Sequence, residues 1–162
     1  TLDALPELIT AQSVQLFEKY GVFNERELHS RYEVRLEQYA LIIGVEAKLA
    51  LEIGLTVILP AAIRYQTELA QSVVALTAAG VDADTALLRE VSTPIAALRS
   101  GLSALKAALG CHVEGSFAEA LHARDEVLPA MALVRSAADA LEDIVADDLW
   151  PLPTYQEMLY IL

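Results

Sequence analysis

The chain has 162 residues, 55% of them hydrophobic, with 11 Lys and Arg against 23 Asp and Glu and a net charge of -12. That length suits one domain with a real core, and few Gly and Pro beside so much apolar side chain suit helices rather than disorder. The acidic balance speaks against a nucleic-acid backbone or an anionic membrane as partner, and a single cysteine, Cys111, excludes an internal disulfide framework.

Helix punctuation divides the chain in order. A first helix is expected from about Pro6 to Tyr20, with Pro in its first turn and Gly21 as its stop. Asn24 and Glu27, Ser116 and Glu119, and Thr154 and Glu157 each have the spacing of a capping box. They open a very long second helix (about Glu25 to Ala79, stopped by Gly80 and interrupted by Pro60), a fourth (about Phe117 to Asp147) and a short C-terminal one. A third runs from about Ala83 to Leu109, stopped by Gly110. Pro60, Pro94 and Pro129 fall inside the long helices, where a missing N–H and a ring clash are expected to kink or break the turn. The resulting fold class is all-α: an elongated antiparallel helical bundle with long Pro-kinked helices and a short C-terminal helix, in one domain. Uninterrupted, the second helix is about 80 Å long at 1.5 Å per residue, and part of its surface then needs a neighbour from outside the chain.

Its most apolar stretch, Tyr39 to Tyr65, carries Glu46, Lys48, Glu52 and Arg64. Its longest uncharged run, Ile53 to Ile63, is well short of the ~18 to 20 apolar residues that cross a bilayer. The N-terminus has no charged-then-apolar signal, which speaks against export. The first residue is Thr1 rather than an initiator Met, as in a segment of a longer polypeptide.

Heptad patterning sharpens the packing. In the third helix Leu88, Val91, Ile95, Leu98, Leu102, Leu105 and Leu109 alternate steps of three and four, as a bundle seam does. Phe117, Ala120, Arg124, Val127, Met131, Val134, Ala138, Leu141 and Val145 do so in the fourth, and Leu36, Tyr39, Ile43, Glu46, Ala50, Ile53 and Val57 in the second. Each of these two seams has one charged intruder, Arg124 and Glu46, of opposite sign. A buried charge needs a partner, so the expectation is a structural ion pair between Glu46 and Arg124, in the interior or at a subunit contact. The alternative is that Glu46 turns out to solvent at the edge of its stripe.

Groups that carry chemistry are sparse. Glu119 and His122 have the Glu-x-x-His spacing of ferritin-like metal sites, but Arg26 precedes His29 and Leu109 precedes His112 at that spacing, so no metal site is expected and His122 reads as a surface residue. The seven glycines are scattered and form no phosphate loop. Gly44, Gly54 and Gly101 lie inside predicted helices, where they mark close crossings or are simply tolerated. His29, Arg31, Tyr32, Arg35 and Gln38 form a polar set that either faces an absent region or is solvated. Cys111 reads as a small residue near a helix end. No catalytic or cofactor-binding residue is assigned. After Pro151 and Pro153, the tail residues Trp150, Leu152, Tyr155, Met158, Leu159, Tyr160, Ile161 and Leu162 are too apolar to stand free in water, and are expected to fold back or dock on a neighbouring chain.

Several blocks have a family likeness: Leu16-Phe17-Glu18-Lys19-Tyr20-Gly21-Val22, Glu25-Arg26-Glu27-Leu28-His29-Ser30-Arg31-Tyr32-Glu33, Leu36-Glu37-Gln38-Tyr39, Ile58-Leu59-Pro60-Ala61-Ala62-Ile63-Arg64-Tyr65-Gln66 and the tail Asp147-Asp148-Leu149-Trp150-Pro151-Leu152-Pro153-Thr154-Tyr155-Gln156-Glu157-Met158-Leu159. In that order they resemble the C-terminal end of type III glutamine synthetases, while Val73 to Gly115 carries no motif. The resemblance implies a cytoplasmic parent that makes glutamine from glutamate, ammonia and ATP with a divalent metal, as a large homo-oligomer. It also implies that the catalytic, ATP and metal sites lie upstream, so this chain holds no cofactor, and its partners are other subunits and the missing synthetase region. The expected role is a structural, oligomerising scaffold. The alternatives are a regulatory docking module, or an engineered or excised bundle without activity, which the mean hydropathy of +0.40 and Leu55 within the apolar helix bring into view.

Overall fold

The computed structural model describes residues 2–153 and 155–159. The described residues are predominantly helical, and no strand occurs among them, which is the all-α class expected. Two compact units form, the first from Thr1–Lys48 and Ala108–Pro129, the second from Leu49–Ala107 and Ala130–Leu162. No helix among the described residues is long and apolar enough to cross a membrane.

The entry to the chain is a 3-10 turn, Leu5–Ile9, rather than the start of one long helix. Thr10 then takes extended backbone and accepts from the Ser13 N–H, capping α1 (Ala11–Lys19). Gly21 at φ 65° closes α1: the Val22 N–H reaches back to Phe17 O at 3.0 Å and the Gly21 N–H to Glu18 O at 3.0 Å, a Schellman cap. Helix α2 (Glu25–Ile53) opens with the predicted capping box, Asn24 Oδ1 accepting from the Glu27 N–H and Glu27 Oε2 from the Asn24 N–H, both at 2.9 Å.

Pro60 does not break the second helix. A π segment, Gly54–Ile58, follows α2 and leads directly into α3 (Leu59–Ala78). The Leu59 N–H donates to Gly54 O, five residues back. The widened turn lies immediately before the proline, where the ring and the missing N–H conflict with α-helical bonding. The same arrangement recurs between α5 (Ser116–His122) and α6 (Leu128–Glu142), where a second π segment, Ala123–Val127, has Leu128 donating to Ala123 O. Both π segments run straight into Leu-Pro-Ala, at residues 59–61 and 128–130. Pro94 has no such device and is buried inside an unbroken α4 (Ala86–Gly110). A short α7 (Tyr155–Leu159) ends the described chain. Its expected cap, Thr154, lies outside the described residues, as do Tyr160, Ile161 and Leu162.

The second unit is held by the α4 seam. Val91, Ile95, Leu98, Leu102 and Leu105 are buried as the heptads predict. Two glycines admit close approach there. A Cβ on Gly54 would lie 2.5 Å from Leu102 Cδ2, and one on Gly101 would lie 3.2 Å from the Val134 backbone nitrogen. Both are therefore crossing points, including Gly101, where sequence alone allows mere tolerance. Gly44 differs, because nothing stands within 4 Å of its Cβ position.

Three helices correct the boundaries read from the sequence. Helix α4 starts at Ala86 rather than Ala83 and runs through Gly110, the expected stop. Ser116 does not cap: Gly115, at φ 97°, holds the N-cap position, so the chain enters α5 one residue early and Ser116 lies inside the helix. At the other end α6 finishes at Glu142 rather than Asp147.

Candidate functional site

The first unit is built on Leu2, Leu36 and Ala120, all buried, with Leu5, Tyr32 and Tyr39 packed on them. Tyr32 thus belongs to the core rather than to an exposed polar set, while the Arg31 guanidinium sits 4.2 Å from the Phe23 ring centroid, a cation–π contact.

The expected Glu46–Arg124 pair is not formed within the chain. Arg124 Nη1 meets Asp3 Oδ1 at 2.9 Å and its Nε meets Asp125 Oδ1 at 2.7 Å, while Glu46 is exposed. The hydrogen bond from Arg124 holds the Asp125 carboxyl below its ordinary value. The pair fails because neither charge lies on its seam. On α2 the buried residues are Leu28, Leu36, Ile43 and Ala47, continued by Gly54 and Ile58 in the π segment, so a step of four after Ile43 takes Ala47 inward and turns Glu46 out. Beyond α5, Ala123 is buried beside the half-exposed Arg124. Two alanines next to the charges, Ala47 and Ala123, take the places that a strict heptad gives to the intruders.

An open groove of about 510 Å³ lies on this unit. Its α2 wall includes Val34, Glu37, Leu41, Gly44, Val45 and Lys48, and its other walls come from the end of α4 with residues 111–113 and from α5 with the π segment after it. His122 ties these latter walls together, since its Nε2 lies 2.9 Å from Ala108 O. As donor to that carbonyl it is structural, which the Glu-x-x-His spacing alone does not reveal. The α2 wall is unusually apolar for an open surface. Val34 is 46%, Leu41 67% and Val45 58% exposed.

Glu119, His122 and Cys111 also line the groove, but no cluster of three His, Cys, Asp or Glu able to hold a metal occurs among the described residues. The positive-φ glycines Gly21, Gly80 and Gly115 lie at separate helix ends and make no phosphate cradle. The residues present therefore do not fit the ATP and divalent metal that the family resemblance implies for the parent, and no chemical step is derived through them.

In the tail, Trp150 and Leu152 are half-buried, and the Trp150 indole Nε1 is buried without a hydrogen-bond partner among the described residues. Met158 at 50% and Leu159 at 76% exposure are open. The Tyr155 side chain lies outside what is described.

Comparison with known proteins bears on this arrangement. Residues 1–77 match the family model described as glutamine synthetase C-terminal domain. The chain is 28% identical to the type-3 glutamine synthetase of Dictyostelium discoideum over 99% of its length, and 27% identical to a glutamine synthetase of Bacteroides fragilis (strain YCH46) over 86%. A glutamine synthetase of Butyrivibrio fibrisolvens is 28% identical over 99% of the chain. The chain spans 23%, 20% and 24% of the length of these three relatives, respectively. The resemblance read from the sequence is borne out, and similarity extends through the motif-poor middle.

Proposed function

We propose that this chain, which carries a glutamine synthetase C-terminal domain in its residues 1–77 and is similar to type-3 glutamine synthetases over nearly its whole length, is a non-catalytic helical scaffold for subunit assembly. The parent is a cytoplasmic glutamate–ammonia ligase, using ATP and a divalent metal bound upstream of this segment. The observation that carries the scaffold role is the exposed apolar surface of α2, where Leu41, Ile42 and Val45 each stand more than half open. Contiguous apolar surface of this kind marks interaction sites, and its cost in water is relieved when another protein surface covers it.

The test is the solution mass of the chain by size-exclusion chromatography with light scattering across a concentration range. A concentration-dependent oligomer is expected, and a stable monomer of 17.5 kDa speaks against self-assembly through this domain. The open groove favours a second role, docking of a regulatory partner. Deleting the domain from the parent separates the two, because loss of assembly belongs to the scaffold and intact assembly with altered feedback belongs to regulation.

A further inference from the structure

We infer that the outer face of α2 in the first unit is a self-complementary contact on which a second copy of this chain lays its own α2 antiparallel, in one defined register. The inference rests on the scaffold role proposed above and gives it residues.

Val34, Glu37, Leu41, Gly44 and Lys48 follow one another in steps of three, four, three and four. This is the spacing of a coiled-coil seam, and it lies away from the buried side of α2, which carries Leu36, Ile43 and Ala47. All five residues border the open groove. Val34 and Leu41 are 46% and 67% exposed.

Three observations fix the occupant and its direction. Opposite charges, Glu37 and Lys48, flank the Leu41–Gly44 part of the face, both exposed and neither in an ion pair among the described residues. Between them sits Gly44, which weakens a helix interior by about 1 kcal/mol relative to Ala and which no neighbour in the chain requires, since its Cβ position is empty to 4 Å. Finally, both features share one centre. The antiparallel register that sets Glu37 against the partner's Lys48 also sets Leu41 against the partner's Gly44, because each pair is centred midway between residues 42 and 43. A leucine then enters the space left by the missing side chain, twice, and each end of the contact closes with an opposite-charge pair. A two-fold contact uses the same patch on both copies, and this patch is complementary to itself in shape and charge.

The test is a charge swap on the full 162-residue chain, read by light scattering and sedimentation over a concentration series. Glu37→Lys and Lys48→Glu each place like charges opposite one another at both ends, so each raises the dimer dissociation constant by roughly tenfold or more. The double variant restores opposite charges and returns it to within about threefold of wild type. Gly44→Met fills the recess, raising the dissociation constant by roughly tenfold or more while increasing the melting temperature of the monomer at high dilution, where relief of the helix-interior glycine is all that remains. A chain that stays monomeric at every concentration overturns both this contact and the scaffold role. An oligomer indifferent to the single reversals, or not rescued by the double, overturns this contact alone and leaves the scaffold role standing.

Discussion

Asp3 and Arg124 are 121 positions apart in the chain, yet their side chains meet at 2.9 Å. The contact fastens the N-terminal segment, whose Leu2 is buried beside Leu36 and Ala120, to the π segment that begins at Ala123. Arg124 is also held through its Nε by Asp125, so one guanidinium serves two carboxylates. Its pKa is raised, chiefly by the hydrogen bond to Asp125.

The acid limb of stability should therefore feel Asp125. Its carboxyl is held below the ordinary 3.8, first by the hydrogen bond from Arg124. A depressed folded-state pKa contributes stability that is fully present above the unfolded value and is lost as pH falls through the folded one. Asp125→Asn should lower the urea midpoint slightly at pH 7, since the pair is exposed and screened. The gap to wild type should begin to narrow as pH falls below the ordinary 3.8 and close as it passes the lower folded-state value. A gap that does not narrow as pH falls below the ordinary carboxylate value would mean the carboxylate's charge is not what Arg124 responds to.

The capping box at the head of α2 offers a simpler case. Asn24→Ala removes the acceptor for the Glu27 N–H and should cost about 1 kcal/mol in chemical denaturation. Ser116→Ala should change stability by less than about 0.5 kcal/mol, because Gly115 and not Ser116 holds the N-cap of α5. Equal losses at the two positions would restore Ser116 as a cap.

Much of the fold was legible because it is encoded locally. The α4 seam was legible from Val91 to Leu105, all buried as expected, while its end members Leu88 and Leu109 are only half-buried, since Leu-rich heptads meet a regular helix and every step is three or four residues. Asn24 with Glu27 and the stop glycines Gly21 and Gly80 were legible for the same reason, as their chemistry closes within one turn. What the sequence concealed is non-local or depends on a change of helical period. The π segments shift the phase of the helix next to Pro60 and Pro129, and small residues such as Ala47 and Ala123 are as much at home inside as out, so a strict heptad put Glu46 and Arg124 on the seams. Asp3 gave no signal at all, because its partner lies 121 positions away along the chain. The groove was equally hidden, being walled by three stretches of chain that no spacing connects. Its α2 wall could have been found by asking whether α2 carries a second three-four alternation, from Val34 to Lys48, beside the first.

The helix crossings in the second unit make a sharp contrast between two glycines. Gly101→Leu drives a side chain toward the Val134 backbone nitrogen, already 3.2 Å from a Cβ at that position, and α6 must move to admit it. A loss of about 1–3 kcal/mol is expected. At Gly44 an alanine meets nothing within 4 Å, so Gly44→Ala should stabilise the monomer by about 1 kcal/mol. Thermal unfolding at high dilution measures both, and a stabilising Gly101→Leu would remove Gly101 from the crossing.

The seam of α2 can be tested by exchanging the roles of two adjacent residues. Ala47 is fully buried and Glu46 exposed, so Glu46→Ala should alter stability by no more than about 0.5 kcal/mol. Ala47→Glu forces a carboxylate into a site with no cation among the buried residues, where a lone charge costs several kcal/mol. It also adds volume where the core is closed. The expected result is a loss of about 3 kcal/mol or more, or failure to fold, against a near-silent Glu46→Ala. The opposite order, a costly Glu46→Ala and a tolerated Ala47→Glu, would place the seam back through Glu46 and reopen its pairing with Arg124. Because the two substitutions lie one residue apart on the same helix, differences in helix propensity contribute only tenths of a kcal/mol, and the contrast reports which way the helix faces.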